Sequence, residues 1–157
     1  MTRAELEDFL FHEAALLDDG QLTPWLSLWA DGGPGYVVPT ADAPDGDPRQ
    51  TLAYIADDLP LLRTRIAQLL DGTTVAEIPR TRTARLIGNV RILQDTGDRL
   101  RVGSTFMLQA VRRDRSEVLS GRYEHLLAPT ADGLRILGKR VVLTQLSIPM
   151  GRLGFLL

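Results

Sequence analysis

Residues 7–39, EDFLFHEAALLDDGQLTPWLSLWADGGPGYVVP, decide the fold class of this chain, because they predict two capped helices that lead directly into a strand. Thr2 and Glu5 have the spacing of a capping box, and Gly20 ends the helical pattern. The first helix should therefore run from about residue 3 to residue 18.

The next elements are also marked by local signals. Thr23 and Pro24 read as an N-cap followed by a proline at the first helical position, which predicts a short second helix. The segment GYVVP, residues 35–39, has the composition of a strand. A third helix is predicted over about residues 59–70, after two aspartates that are suitable as caps.

Beyond residue 80 the sequence changes to strand character. Four long runs, residues 82–93, 100–112, 117–128 and 134–147, are separated by short turn signals. Connections this short imply antiparallel neighbours. Helices followed by long antiparallel strands predict an α+β fold with the helices packed on one face of a curved sheet. No repeat or linker is present, so one domain over residues 1–157 is expected.

Composition excludes several classes of function. The 157 residues are 44% hydrophobic and 24% charged, which is typical of one globular domain. A net charge of -2 provides no basic field for nucleic acid or for an anionic membrane. No run of 18 apolar residues and no signal peptide is apparent, so we expect a cytoplasmic protein.

Cysteine is absent, and the only two histidines are His12 and His125. A Rieske cluster takes two thiolates and two imidazoles, so this chain cannot hold one alone. A non-haem iron site of two histidines and one carboxylate would use both histidines, one on a predicted helix and one on a distant strand. We therefore expect no metal site in this chain.

Several segments together resemble one protein family. They are the opening stretch with its Asp-Asp-Gly, Trp-Leu and Tyr-x-Val-Pro elements, IADDLPLLRTRIAQLLDG (residues 55–72), PRTRTARLIGNVRI (79–92), and GRYEHLLAPTADGLRILGKRVVLTQ (121–145). In this combination the chain resembles the small (beta) subunits of aromatic-ring-hydroxylating dioxygenases, which have the cone-shaped, cystatin-like fold of the NTF2-like and SnoaL-like superfamily. The strand Tyr36-Val37-Val38-Pro39 departs from the family, which usually has Trp at the position of Val37.

The resemblance implies a non-catalytic supporting subunit. It would form a homotrimer and bind a large (alpha) subunit that carries the Rieske 2Fe-2S cluster and a mononuclear Fe(II). The whole enzyme would dihydroxylate an aromatic substrate with O2 and electrons from NADH. An alternative from the same superfamily is a free-standing SnoaL-like dehydratase, isomerase or cyclase, or a small-molecule-binding protein that uses the interior of the cone.

Glu13 is the most unusual polar residue, because it lies within the apolar face of the first predicted helix. A carboxylate that faces a core is costly unless it is paired. One interpretation is structural, with an Arg or Tyr from the sheet holding the carboxylate. The other is a pocket carboxylate with a raised pKa that acts as an acid or base. In that case His125, with Tyr54 or Asp31, would complete a candidate pocket.

Two further groups of residues have predicted roles in contacts. Arg80, Arg82 and Arg85 alternate along a strand and suit ion pairs with neighbouring strands or with another subunit. The apolar end IPMGRLGFLL would leave a large apolar patch in water, so it should either pack on another chain or close this chain's own cone. The candidate interface anchors are Trp25, Trp29, Met150, Leu153, Phe155, Leu156 and Leu157.

Overall fold

The computed structural model describes residues 1–40, 42–72, 79–145 and 154–157. Its elements, in chain order, are α1 (Arg3–Asp18), α2 (Leu22–Ser27), β1 (Gly35–Pro39), β2 (Ala53–Asp57), α3 (Leu59–Leu70), β3 (Arg82–Asp95), β4 (Leu100–Arg112), β5 (Arg115–Thr130) and β6 (Gly133–Leu143). The order of helices first and long strands afterwards confirms the predicted α+β class. Within the described ranges, no helix is long and apolar enough to cross a membrane.

Local capping explains two of the helices. At the start of α1, the Thr2 hydroxyl accepts from the Glu5 backbone N–H, and the Glu5 carboxylate accepts from the Thr2 backbone N–H, which completes the predicted capping box. At the start of α3, the Asp58 carboxylate accepts from the Leu61 N–H at 2.9 Å. Both helices have the predicted bounds.

The predicted start of α2 is wrong. The helix begins at Leu22, after Gln21, and Gln21 makes no side-chain capping bond. Pro24 is therefore the third residue of the helix, where its missing N–H is still harmless because the first four N–H groups have no intrahelical acceptor.

The six strands form one sheet in the order β2-β1-β6-β5-β4-β3. Strands β3 to β6 are consecutive antiparallel neighbours, as their short connections predicted. The sequence did not reveal that β1 pairs with β6 in parallel and carries β2 at the edge. The three helices pack on one face of the sheet, which we call the inner face, and the opposite face is the outer face.

The C-terminal end of α1 is fixed to the edge strand β3 by one carboxylate. Asp18 accepts from the Thr83 hydroxyl at 2.7 Å, from the Arg85 Nε at 2.8 Å and from the Arg85 backbone N–H at 2.9 Å. Arg80 donates to the carbonyls of Leu17 and Asp18 at the helix end, where backbone carbonyls run out of intrahelical donors. Arg85 thus forms an ion pair within the chain, but its partner lies on helix α1 instead of on the predicted neighbouring strand or second subunit.

The structure corrects the prediction that Trp25 and Trp29 are interface anchors. Trp25 is 0% exposed and Trp29 is 6% exposed, so both belong to the core of this chain and neither is available as an interface anchor. Their rings and that of Tyr36 pack edge to face, with centroids 5.3 Å to 6.4 Å apart. Trp25 is the buried residue of α2, and the three rings together fill the space between α2 and β1.

The end of the chain also packs on its own core. Leu156 and Leu157 are buried, Phe155 is partly buried against the same core, and the Leu157 N–H donates to the Tyr36 hydroxyl at 2.9 Å. Residues 155–157 therefore close this chain's own fold, which corrects the interface prediction for them. Met150 and Leu153 lie outside the described residues.

The cap of α3 gives a test of the fold. We expect Asp58→Ala to lower the free energy of unfolding by about 1 kcal/mol, because the Leu61 N–H loses its acceptor. Urea unfolding measures the change. The control Asp132→Ala removes an exposed turn carboxylate and should change stability by less than about 0.5 kcal/mol. Equal effects of the two substitutions would contradict the capping role.

Candidate functional site

The most distinctive polar feature is a group of charged side chains buried between α1 and the inner face of the sheet. Glu13 lies on the buried side of α1 and is 3% exposed. Its carboxylate accepts from Lys139 Nζ at 3.0 Å and from Trp25 Nε1 at 3.2 Å, and it lies 2.9 Å from His125 Nε2. We call Glu13, His125 and Lys139 the buried charged cluster.

The sheet brings two members of the cluster together. His125 on β5 and Lys139 on β6 are directly paired across the two strands, and both are fully buried. The alternation that begins with Leu134 and Ile136 would send Lys139 to the outer face. An extra residue, Leu137, stands between the pairs Leu127–Ile136 and Leu126–Gly138, so this β-bulge reverses the alternation and turns Lys139 inward.

The electrostatics of Glu13 are those of an ionised carboxylate. Burial raises the pKa of Glu13, but the nearby Lys139 charge, the electrostatic effect of His125 and the hydrogen bonds from both residues outweigh it and hold the pKa well below its usual range. Burial lowers the pKa of Lys139, while the Glu13 carboxylate opposes that change. Three donors converge on one carboxylate, so we take Glu13 as charged at neutral pH.

The interpretation of Glu13 as an acid or base with a raised pKa is therefore wrong, and the structural interpretation fits the geometry. The partners are Lys139, His125 and Trp25, instead of the predicted Arg or Tyr. Because an ionised carboxylate only accepts, His125 Nε2 carries the hydrogen. A carboxylate that is already held by three donors is a poor proton acceptor for a substrate.

Aromatic rings complete the surroundings of the cluster. Lys139 Nζ lies 4.2 Å from the centre of the Tyr123 ring, which stacks on Phe106 with the ring centres 4.1 Å apart. Tyr123 is 2% exposed, and burial raises the pKa of its hydroxyl, so Tyr123 stays neutral. The ammonium group is therefore bounded by a carboxylate and an aromatic face.

The structure unites only two of the four predicted pocket residues. Glu13 and His125 are in contact, whereas Asp31 is exposed between α2 and β1 and cannot belong to a fully buried group. Tyr54 is half-buried on β2, which is three strands from β5, a separation of about 14 Å. The prediction of Asp31 as a pocket partner is therefore wrong, whereas that of Tyr54 stays a prediction. Lys139 was missed because its inward orientation depends on the bulge.

The residues that the structure describes contain no candidate metal site. In those ranges no three His, Asp or Glu side chains are grouped so that they could hold a metal ion. His12 is exposed on α1, while His125 is buried and bonded to Glu13, so the two histidines cannot act as a ligand pair. The residues present do not fit a Rieske cluster, which needs two thiolates.

Removing the carboxylate tests the structural role of Glu13. We expect Glu13→Gln to lower the free energy of unfolding by about 3 kcal/mol, because the Lys139 ammonium is left buried without a counter-charge. Urea unfolding at a fixed protein concentration measures the loss. Adding Lys139→Met should recover at least about 1 kcal/mol, since the two residues interact directly. A Glu13→Gln protein as stable as the wild type would contradict this role.

The lowered pKa of Glu13 predicts that the stability of the fold depends on pH in the acid range. The pKa of Glu13 is lowered on folding from its ordinary value of 4.5, so its contribution to stability is complete above pH 4.5 and declines as the pH falls below that value. In this range the unfolded chain takes up a proton that the folded chain does not. The stability difference between wild type and Glu13→Gln should shrink as the pH falls from 6 to 3. A constant difference would show that folding does not lower the pKa of Glu13.

Comparison with known proteins gives the family. The model of the ring hydroxylating beta subunit family matches residues 12–150. The small oxygenase component of the p-cumate 2,3-dioxygenase system of Pseudomonas putida is 37% identical over 100% of this chain and 88% of the relative. The crystal structure of the beta subunit of benzoate 1,2-dioxygenase from Burkholderia mallei superposes with a TM-score of 0.72 at 25% identity, covering 92% of this chain and 91% of that one.

The fold itself is shared more widely. An NTF2-like protein with a cystatin-like fold from Novosphingobium aromaticivorans superposes with a TM-score of 0.60 at 15% identity, over 92% of this chain and 83% of that chain. This confirms the predicted cone-shaped fold. From the family match and the identity to a curated small component, the chain belongs to the family of ring-hydroxylating dioxygenase beta subunits.

Proposed function

We propose that this chain is the non-catalytic beta subunit of an aromatic-ring-hydroxylating dioxygenase and that it acts by binding a large alpha subunit. The observation that carries the proposal is the family match over residues 12–150. The alpha subunit would carry the Rieske 2Fe-2S cluster and the mononuclear Fe(II). The complex would dihydroxylate an aromatic substrate with O2 and electrons from NADH. We further propose a homotrimer in the cytoplasm.

The interior of the chain supports this assignment. Glu13, the most unusual polar residue of the predicted pocket, has its carboxylate occupied by three donors from the chain itself. Its lowered pKa makes it unsuitable for the proton transfers of a dehydratase or isomerase. Together with the similarity to a small oxygenase component and to a dioxygenase beta subunit, this favours a supporting subunit over a free-standing SnoaL-like enzyme.

The large subunit in this proposal is defined by its chemistry. It must supply two cysteine and two histidine ligands for the cluster, because this chain has no cysteine. It must also supply the ligands of the mononuclear iron, since His12 and His125 lie in separate environments. Electron transfer and substrate binding would thus take place in the alpha subunit.

Coexpression tests the proposal. We expect the purified chain to be colourless and to show no oxygenase activity by itself. When it is expressed with an alpha subunit from the same organism, the two should co-purify, and the complex should contain iron and have the visible absorption of a Rieske cluster. Metal analysis and affinity purification with a tag on this chain measure both. Turnover by the isolated chain, or failure to retain the alpha subunit, would overturn the proposal.

A further inference from the structure

The outer face of the sheet carries an uncharged patch that includes three large apolar side chains. Leu86 is 75% exposed, Met107 is 56% exposed and Val118 is 54% exposed. Leu86 on β3 and Met107 on β4 are directly paired, and Val118 on β5 is in the adjacent row. The two rows that form this outer patch are Ala84–Gln109–Val118 and Leu86–Met107–Ser120. Interface centres typically combine exposed apolar side chains with an absence of charge.

Arginines border the outer patch at both ends. Arg82 is exposed on β3 and lies in the row beyond Ala84. At the other end, Arg122 lies in the row beyond Ser120, and its side chain is 57% exposed although Asp45 lies 3.4 Å away. The Arg82 side chain has no hydrogen-bond or ion-pair partner among the residues described. The outer patch is therefore an apolar surface with a basic rim.

Helix α1 presents a surface of the opposite charge. Phe11 is 47% exposed, and Asp8, Ala15 and Asp19 share its side of the helix at the 100° spacing of helical residues. All of these residues are exposed. In the part of the chain that the structure describes, neither Asp8 nor Asp19 has a side-chain partner. On this helix surface, the aromatic side chain of Phe11 thus lies between the free carboxylates of Asp8 and Asp19.

The spacing of charges is similar on the two surfaces. At 1.5 Å per residue, Asp8 and Asp19 lie about 4.5 Å and 12 Å from Phe11 in opposite directions along the helix. At 3.4 Å per residue, the rows of Arg122 and Arg82 lie about 7 Å and 14 Å from Met107 in opposite directions along the sheet. Phe11 placed over Met107 would thus bring Asp8 towards Arg122 and Asp19 towards Arg82.

We infer that the outer patch binds α1 of a second copy of this chain. The partner is a second copy because the complementary apolar and acidic surface is present on the same molecule. α1 packs against the inner face and the outer patch is on the opposite face, so the contact is head-to-tail. Head-to-tail contacts form closed rings when the rotation between copies permits. The inference rests on the proposed homotrimer and names its contact surfaces.

Substitutions on the full-length chain test this inference by analytical ultracentrifugation. The wild type should sediment as a trimer of the 17.3 kDa chain. Met107→Lys should raise the dissociation constant at least about 100-fold, because a charge would be buried at the apolar centre. The control Leu70→Lys, at a residue 55% exposed on α3, should leave assembly unchanged.

A charge exchange gives a sharper result. Asp19→Lys and Arg82→Glu should each raise the dissociation constant about tenfold, and the chain with both substitutions should return to within about threefold of the wild type. The single variants should keep the circular dichroism spectrum of the wild type. Salt should weaken wild-type assembly, because the pairs lie at an exposed rim.

Three outcomes would overturn the inference. They are a monomeric wild type, a trimer unaffected by Met107→Lys, or a double variant no better assembled than the single variants. Retention of the alpha subunit by tagged wild type tests the proposed function separately. If Met107→Lys kept the trimer but lost the alpha subunit, the outer patch would be assigned to the alpha subunit, and the inference would be wrong while the proposed function stood.

Discussion

The rest of the fold depends on the burial of one ion pair, Glu13 with Lys139. Two opposite charges removed from water are stable only while they remain together, because either one alone would be an uncompensated charge in an apolar interior. Glu13 belongs to α1, and Lys139 belongs to the last strand, β6. The pair therefore fixes the position of the first helix on a strand more than 100 residues later, and His125 and Trp25 complete the coordination of the carboxylate.

This constraint separates the roles of the interior and the surface. The inner face of the sheet holds the helices through the buried charged cluster, the aromatic rings of α2 and β1, and the last residues of the chain. The outer face carries exposed apolar side chains, among them Leu86, Met107 and Val118. The buried charged cluster thus holds the chain's own elements together, and the chain belongs to the family of ring hydroxylating beta subunits.

Much of the fold could be predicted because its signals are local. The capping box at Thr2, the cap at Asp58 and the turns between strands involve residues close together in sequence, and the corresponding elements were predicted closely. Glu13 was also found from sequence, because helical periodicity alone shows which face of α1 is apolar. Trp25 and Trp29 were misassigned, because composition does not reveal whether an apolar side faces the chain's own core or another subunit.

The sequence by itself determined the class of fold, the position of the buried carboxylate, and the lack of thiols that assigns any Rieske cluster to a partner. Only the tertiary structure decided what neutralises that carboxylate. Lys139 faces inward because one extra residue in β6 shifts the side-chain alternation, and the sequence of β6 alone does not show where its pairing with β5 slips. Periodicity depends on neighbours along the chain, whereas ion pairing depends on strand register, which forms only when distant segments come together.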